Sequence, residues 1–236
     1  MKILAFETSA KSASVAVTEN GQVLASAYQC TALTHSRTLM PMLEGMLHNS
    51  GLSLADMGLF AVAAGPGSFT GLRIGVSAVK GLSFAADKPC CAVSTLHAMA
   101  MPLAHIEDAL IVCAMDARRQ QIYNALFSVR NGKLLRECPD RAVSLAQVAE
   151  ELGSKKELHE KRKIIVGDGA ELCYDYFLEN GIVCEKAPAP LLRQSAVGVA
   201  LAAEGAKTVS AAALCPTYLR ISQAERERNA RLARES

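Results

Sequence analysis

The sequence has no tryptophan, and only six phenylalanines and five tyrosines among its 236 residues. It also lacks a dominant charge: 25 Lys and Arg stand against 23 Asp and Glu, a net +2. That balance is not the concentrated basic face of a protein that binds nucleic acid by itself. No apolar run approaches the roughly 20 residues of a membrane span. Glu7 interrupts the first apolar stretch, where a secretory leader would be continuous. These absences point to a cytoplasmic protein with no membrane association. Eight cysteines are present, but none forms a C-x-x-C pair, so the paired spacing of a zinc site is missing. Most lie in apolar runs such as LIVCAM, which reads as buried free thiols in a reducing compartment.

What is present is a repeated order of elements. "KILAFET" reads as a strand ending on Glu7, "SASVAVT" as a second strand and "QVLASAYQ" as a third. Asn20-Gly21 between the last two is a hairpin signal. "THSRTLMPMLEGMLHNSG" carries Leu39, Met42 or Leu43, and Met46 at helical spacing, with Pro41 expected in a first turn. "LFAVAA" is a strand, and "TGLRIGVSAVKGLSFAAD" a helix with Thr70 as the expected N-cap. "KPCCAV" and "STLHAMAMPLA" complete a first half of residues 1–104. From residue 109 the order returns: "ALIVCAMD" ends on Asp116, Asn131-Gly132 marks a hairpin, Ser144 opens a helix, and "IIVGDGAELC" supplies a glycine loop at Gly167. Glu7 and Asp116 are 109 positions apart, Asn20 and Asn131 are 111, and Gly65 and Gly167 are 102. Three landmarks in register predict an α/β protein of two duplicated β-β-β-α-β-α half-domains, 1–104 and 105–220, followed by a charged tail, 221–236.

Two halves, each with a carboxylate closing its first strand, resemble the actin-like ATPase (ASKHA) architecture. In that fold the two acids face across a cleft and hold hydrated magnesium, while glycine turns grip phosphate. The loop "AAGPGSFTGLRIG" (63–75) is the corresponding turn here. It is not a P-loop: after Gly65 the next required glycine comes one place late, at Gly71, and Leu72 stands where lysine belongs. It is not a dinucleotide fingerprint either, because Thr70 occupies the third glycine position. Ser68 lacks the G-x-S-x-G context of a nucleophile. Gly71, Gly75, Ala78, Gly81 and Ala85 recur through the following helix. Glycine in a helix interior costs about 0.5–1 kcal/mol relative to alanine, so several together imply a close neighbour: the protein's own sheet, or a partner helix. The Met-rich preceding helix suits an adaptable surface or a core.

"GPGSFTGLRIG" (65–75), "HSRTLMPML" (35–43), "VSTLHAMA" (93–100), "DARRQQIY" (116–123) and "PTYLR" (216–220), in this order, resemble the bacterial TsaB (YeaZ) family, over residues 1 to about 220. The resemblance implies a non-catalytic subunit in making N6-threonylcarbamoyladenosine (t6A) beside the tRNA anticodon. It implies pairing with the catalytic paralogue TsaD, assembly with the ATPase TsaE, self-association as a homodimer, and contact with tRNA only through the complex. It places the partner surface on the first two long helices, with His35, Leu39, Met42, Leu43, Met46, Gly71, Arg73, Gly75 and Ala78 as its residues. On that assignment, large charged replacements at Gly75 or Met42 break the complex without unfolding the monomer. A vestigial nucleotide cleft falls to Glu7, Thr8, Ser9, Gly65, Gly67, Ser68, Thr70, Asp116, Arg118 and Gly167. No catalytic residue and no metal are expected, and weak or interface-bound ATP or ADP with magnesium stays open.

Several residues fit a subunit without chemistry of its own. The catalytic relative binds metal through H-x-x-x-H on its first helix, two imidazoles on one face. Here His35 is followed at i+4 by Leu39. Arg118 and Arg119 crowd Asp116, and the family's usual D-T-[SA] is Glu7-Thr8-Ser9. An autonomous actin-like kinase or ATPase, a metallopeptidase-like protein and a pure interaction protein remain the alternatives.

Overall fold

The computed structural model describes residues 1–31 and 33–220; the expectations for the tail, 221–236, lie outside the described residues. The first half runs β1 (Lys2–Glu7), β2 (Ala13–Glu19), β3 (Gln22–Gln29), α1 (His35–Ser50), β4 (Leu59–Gly65), α2 (Phe69–Ala86), β5 (Cys90–Ser94) and α3 (Thr95–Ala100). The second runs β6 (Ala109–Asp116), β7 (Gln121–Arg130), β8 (Lys133–Arg136), β9 (Arg141–Ser144), α4 (Leu145–Ser154), the short α5 (Lys156–His159), β10 (Arg162–Val166), α6 (Ala170–Glu179), β11 (Glu185–Lys186) and α7 (Ala196–Ala203). The first sheet has the order β3-β2-β1-β4-β5. The second has the order β11-β10-β6-β7-β8, with β9 beside β7. Read from β8, the second order is the first one repeated, so the duplication expected from the landmarks is the architecture. The fold is the two-lobed actin-like one.

The helix that closes each half packs on the other half's sheet. Leu96, Met99 and Ala100 of α3 join Ile111, Cys113 and Phe127 of the second sheet in one buried cluster. Ala196, Val199, Ala200 and Ala203 of α7 join Ile3, Ala5, Ala16 and Ala61 of the first. The crossing is tight: a side chain at Gly198 would meet the Ala98 carbonyl. This exchange ties the halves together, and a shared core makes their separation costly.

Two local expectations differ, and two further elements carried little signal in the sequence. Pro41 sits well inside α1 rather than in its first turn. Both Pro41 and Arg37, whose carbonyl it cannot pair, are exposed, which places the break in the ladder on the solvent side of the helix. The cap of α2 is Ser68, whose hydroxyl accepts from Gly71 N at 3.3 Å, not Thr70. Either hydroxyl residue can cap, and the turn from β4 decides which one has extended backbone. The charged stretch 155–163 contains α5, seated by the buried Leu158. α7 carried no helical period because it is buried on most sides, with only Ser195 marking its start.

Candidate functional site

The ends of β1 and β6 and the turn after β4 converge on a cleft of about 520 Å³ between the halves. Glu7 closes β1 beneath it, fully buried. Its Oε1 accepts from the Ser9 backbone N–H at 2.5 Å, while Oε2 is enclosed with no partner among the described residues. Burial raises this carboxyl from 4.5 to about 7, and the charge of Asp168 adds to the effect. Asp168, beside Gly167, is itself raised by burial, and its Oδ1 accepts from Gln194 Nε2 at 2.9 Å. Asp116 closes β6 at the surface, and its Oδ1 accepts from the Arg118 backbone at 2.7 Å. The three residues that follow Ala117 all have positive φ, near +60°, which turns Arg118 toward the cleft.

The glycines of the β4–α2 turn serve close approach of backbones. Gly65 has φ +132°, and a side chain there would strike the Thr217 carbonyl. Thr217 N donates to Ala64 O at 2.7 Å, laying the 216–220 segment along this turn. A Cβ at Gly67 would come 2.5 Å from Ser9 O, to which Ser68 N donates at 2.7 Å. Gly71 and Gly75 face Thr8, whose hydroxyl donates to Gly71 O at 2.8 Å. Gly167, at φ +117°, lies equally close to the Ala114 carbonyl.

Of the expected cleft residues, Ser9, Gly67, Ser68, Thr70, Asp116 and Arg118 line the cleft. Glu7, Thr8, Gly65 and Gly167 lie beneath it as buried supports. Lys11, Asp168, Tyr218 and Arg220 also line it and were not singled out. Asp168 could have been found from its place beside Gly167, and Tyr218 and Arg220 from the PTYLR stretch. Among the described residues no group of three His, Cys, Asp or Glu is placed to hold a metal. A hydrated magnesium ion needs ionised oxygens facing it. Glu7, raised by burial to about 7 with its Oε2 enclosed, and the cationic Lys11, Arg118 and Arg220 fit that ion poorly; Asp116 and Asp168 are the two carboxyls that line the cleft itself.

The expected partner surface needs correction. Leu39, Leu43 and Met46 are buried against Phe6, Val15 and Phe60, with Met42 and Ala78 packed at the edge of the same cluster. Gly71 and Gly75 are buried against the chain's own first strand. A charged side chain at Gly75 would therefore break the monomer. The apolar stripe of an amphipathic helix faces its own core first, which is why these positions are not outside. His35 is half-buried with Nε2 on Ala10 O at 2.7 Å, and Arg73 lies 3.9 Å from the Phe69 ring centroid. The outward faces carry other residues: Met40, Pro41 and Gly45 on α1, and Ser77, Gly81 and Phe84 on α2.

Comparison with known proteins gives this architecture its family. A family model described as "TsaD: tRNA N6-adenosine threonylcarbamoyltransferase" matches residues 29–227. The chain is 31% identical over 224 residues to the tRNA threonylcarbamoyladenosine biosynthesis protein TsaB of Escherichia coli, covering 93% of this chain and 95% of that one. It is 37% identical over 155 residues to the TsaB of Bacillus subtilis, covering 66% of this chain and 67% of that one. A crystal structure from Pseudomonas aeruginosa, described as an uncharacterized protein with similarity to peptidase YEAZ, superposes with a TM-score of 0.78. It shares 27% identity, over 93% of this chain and 99% of that one. The chain belongs to the TsaB (YeaZ) family of tRNA threonylcarbamoyladenosine biosynthesis proteins.

Proposed function

We propose that this protein is a non-catalytic subunit in tRNA t6A formation. It acts by pairing the outward faces of α1 and α2 with the catalytic paralogue TsaD and supports assembly with TsaE. The observation that carries the reading is a pair of glycines that the monomer does not explain. Gly45 and Gly81 lie inside α1 and α2, exposed, with nothing among the described residues within 4 Å of an added Cβ. Each costs about 0.5–1 kcal/mol of helix stability relative to alanine. Gly71 and Gly75 have an internal reason in Thr8, whereas Gly45 and Gly81 have none. A helix from a partner approaching these faces supplies one, with Phe84, 83% exposed, as an apolar anchor beside Gly81. The same faces can pair two copies of this chain.

The cleft, on this reading, is not a magnesium-nucleotide site, since burial raises its floor carboxyl to about 7 and Lys11, Arg118 and Arg220 stand at its mouth. The test is reconstitution with the catalytic paralogue, the ATPase, tRNA and the activated threonylcarbamoyl donor. Gly81→Arg and Gly45→Arg should keep or slightly raise the wild-type melting temperature, lose co-elution with the paralogue on gel filtration, and stop t6A formation. Normal co-elution and modification by both variants would refute this interface. Magnesium-ATP binding and turnover by the isolated chain would refute the non-catalytic assignment.

A further inference from the structure

The cleft gathers aromatic residues, which are scarce in this chain, beside cations with no ion-pair partner among the described residues. Three of the chain's few aromatic residues line it: Phe69, Tyr123 and Tyr218. Tyr218 is braced: its ring stacks on Phe69 at 4.6 Å, its hydroxyl accepts from Arg73 Nε at 3.1 Å, and it stays 38% exposed. Around it stand Lys11, Arg118 and Arg220. Some cations of the chain, Arg136, Arg141, Arg162 and Lys186 among them, are neutralised in ion pairs, while others, such as Arg37 and Lys133, are in none among the described residues. The side chains of Lys11 and Arg118 have no such partner among the described residues, and Arg220 donates only to the Ala117 carbonyl. Unneutralised cations beside a rigid aromatic face recognise a phosphate next to an unstacked base. Asp116, at the surface, and the half-buried Asp168 repel a phosphate placed beside them, yet accept from an exocyclic amino group or a ribose hydroxyl.

We propose that this cleft binds one unstacked nucleotide of a single-stranded RNA, with the base on Tyr218 and the flanking phosphates on Lys11, Arg118 and Arg220. This inference rests on the tRNA role above and adds that the chain touches the RNA itself, where the family resemblance implied contact only through the complex. Nothing in the net charge announces it, because the footprint is local.

The test uses the full chain at low salt. Fluorescence anisotropy is read with a labelled anticodon stem-loop RNA, with a fully paired RNA duplex and with ADP. The stem-loop should bind at least about tenfold more tightly than the duplex. Tyr218→Ala should weaken stem-loop binding about 5–150-fold, the loss of one stacked base. Arg118→Glu should lower the slope of log affinity against log salt by about 0.7, one phosphate contact on a single strand. Lys11→Glu, on an exposed position, gives a second reading where folding is least at risk. Unchanged affinity and salt slope in variants that keep the wild-type melting temperature would overturn the inference. So would ADP binding with the Tyr218 and Arg118 dependence while RNA does not bind. If the chain proves dispensable for t6A formation yet binds the stem-loop through these residues, the proposed function fails and this inference stands. If t6A formation needs the chain but the stem-loop is not bound, only this inference fails.

Discussion

Replacing Glu7 by glutamine isolates the most perturbed carboxyl of the cleft. The amide keeps an oxygen to accept from the Ser9 N–H and carries no charge at any pH. In the folded chain burial raises Glu7 from 4.5 to about 7. Below pH 4.5 the carboxyl is protonated in both folded and unfolded chains and costs nothing. As pH rises, the unfolded chain ionises first, so folding takes up a proton and stability falls until the folded-state carboxyl also ionises near pH 7. At roughly 1.4 kcal/mol per pH unit, a rise from 4.5 to about 7 corresponds to about 3 kcal/mol. Glu7→Gln removes that slope. Urea unfolding of both proteins from pH 4.5 to 8.5 should show the variant gaining on wild type by about 3 kcal/mol as pH rises to 7, then holding level. Asp168 titrates in both proteins, and its own contribution largely cancels in the difference. Parallel stability curves would refute the buried, proton-holding state of Glu7, and with it the argument against magnesium at this floor.

Gly75→Asp should fail to fold or lose several kcal/mol in thermal melts, because its Cβ enters the space of Thr8 Oγ1 and its charge is buried; a wild-type melt would mean the α2–β1 approach is looser than described. Ser68→Ala removes the α2 cap and should cost about 1 kcal/mol in urea unfolding, whereas Thr70→Ala should cost a few tenths at most. A chromogenic thiol reagent should label Cys30 and Cys215 quickly in the native protein and the five buried cysteines only on unfolding; rapid labelling of all eight would contradict the packed cores.

The sequence by itself determined the repeated order of elements, because strand alternation, Asn-Gly turns and strand-end carboxylates are local signals. It also determined the free thiols of the cores, since cysteine in an apolar run needs only burial. The family followed from ordered motifs. Other features depended on which surfaces meet. The helical period of α1 marked Leu39, Leu43 and Met46 as one apolar face but could not say whether that face meets its own sheet or a partner; the sheet lies there and takes it. The three glycines of the second helix looked alike in sequence. Thr8 approaches Gly71 and Gly75 while nothing approaches Gly81, and only the tertiary structure separates a packing glycine from an unexplained one. The exchange of α3 and α7 between sheets depends on which surfaces meet, and the arrival of Tyr218 and Arg220 at a cleft begun by Glu7 joins residues more than two hundred positions apart. Local propensity carries no information over that distance. The turn "AAGPGSFTGLRIG" is glycine-rich because Thr217, Ser9 and Thr8 press against it, a constraint that exists only once the chain has closed on itself.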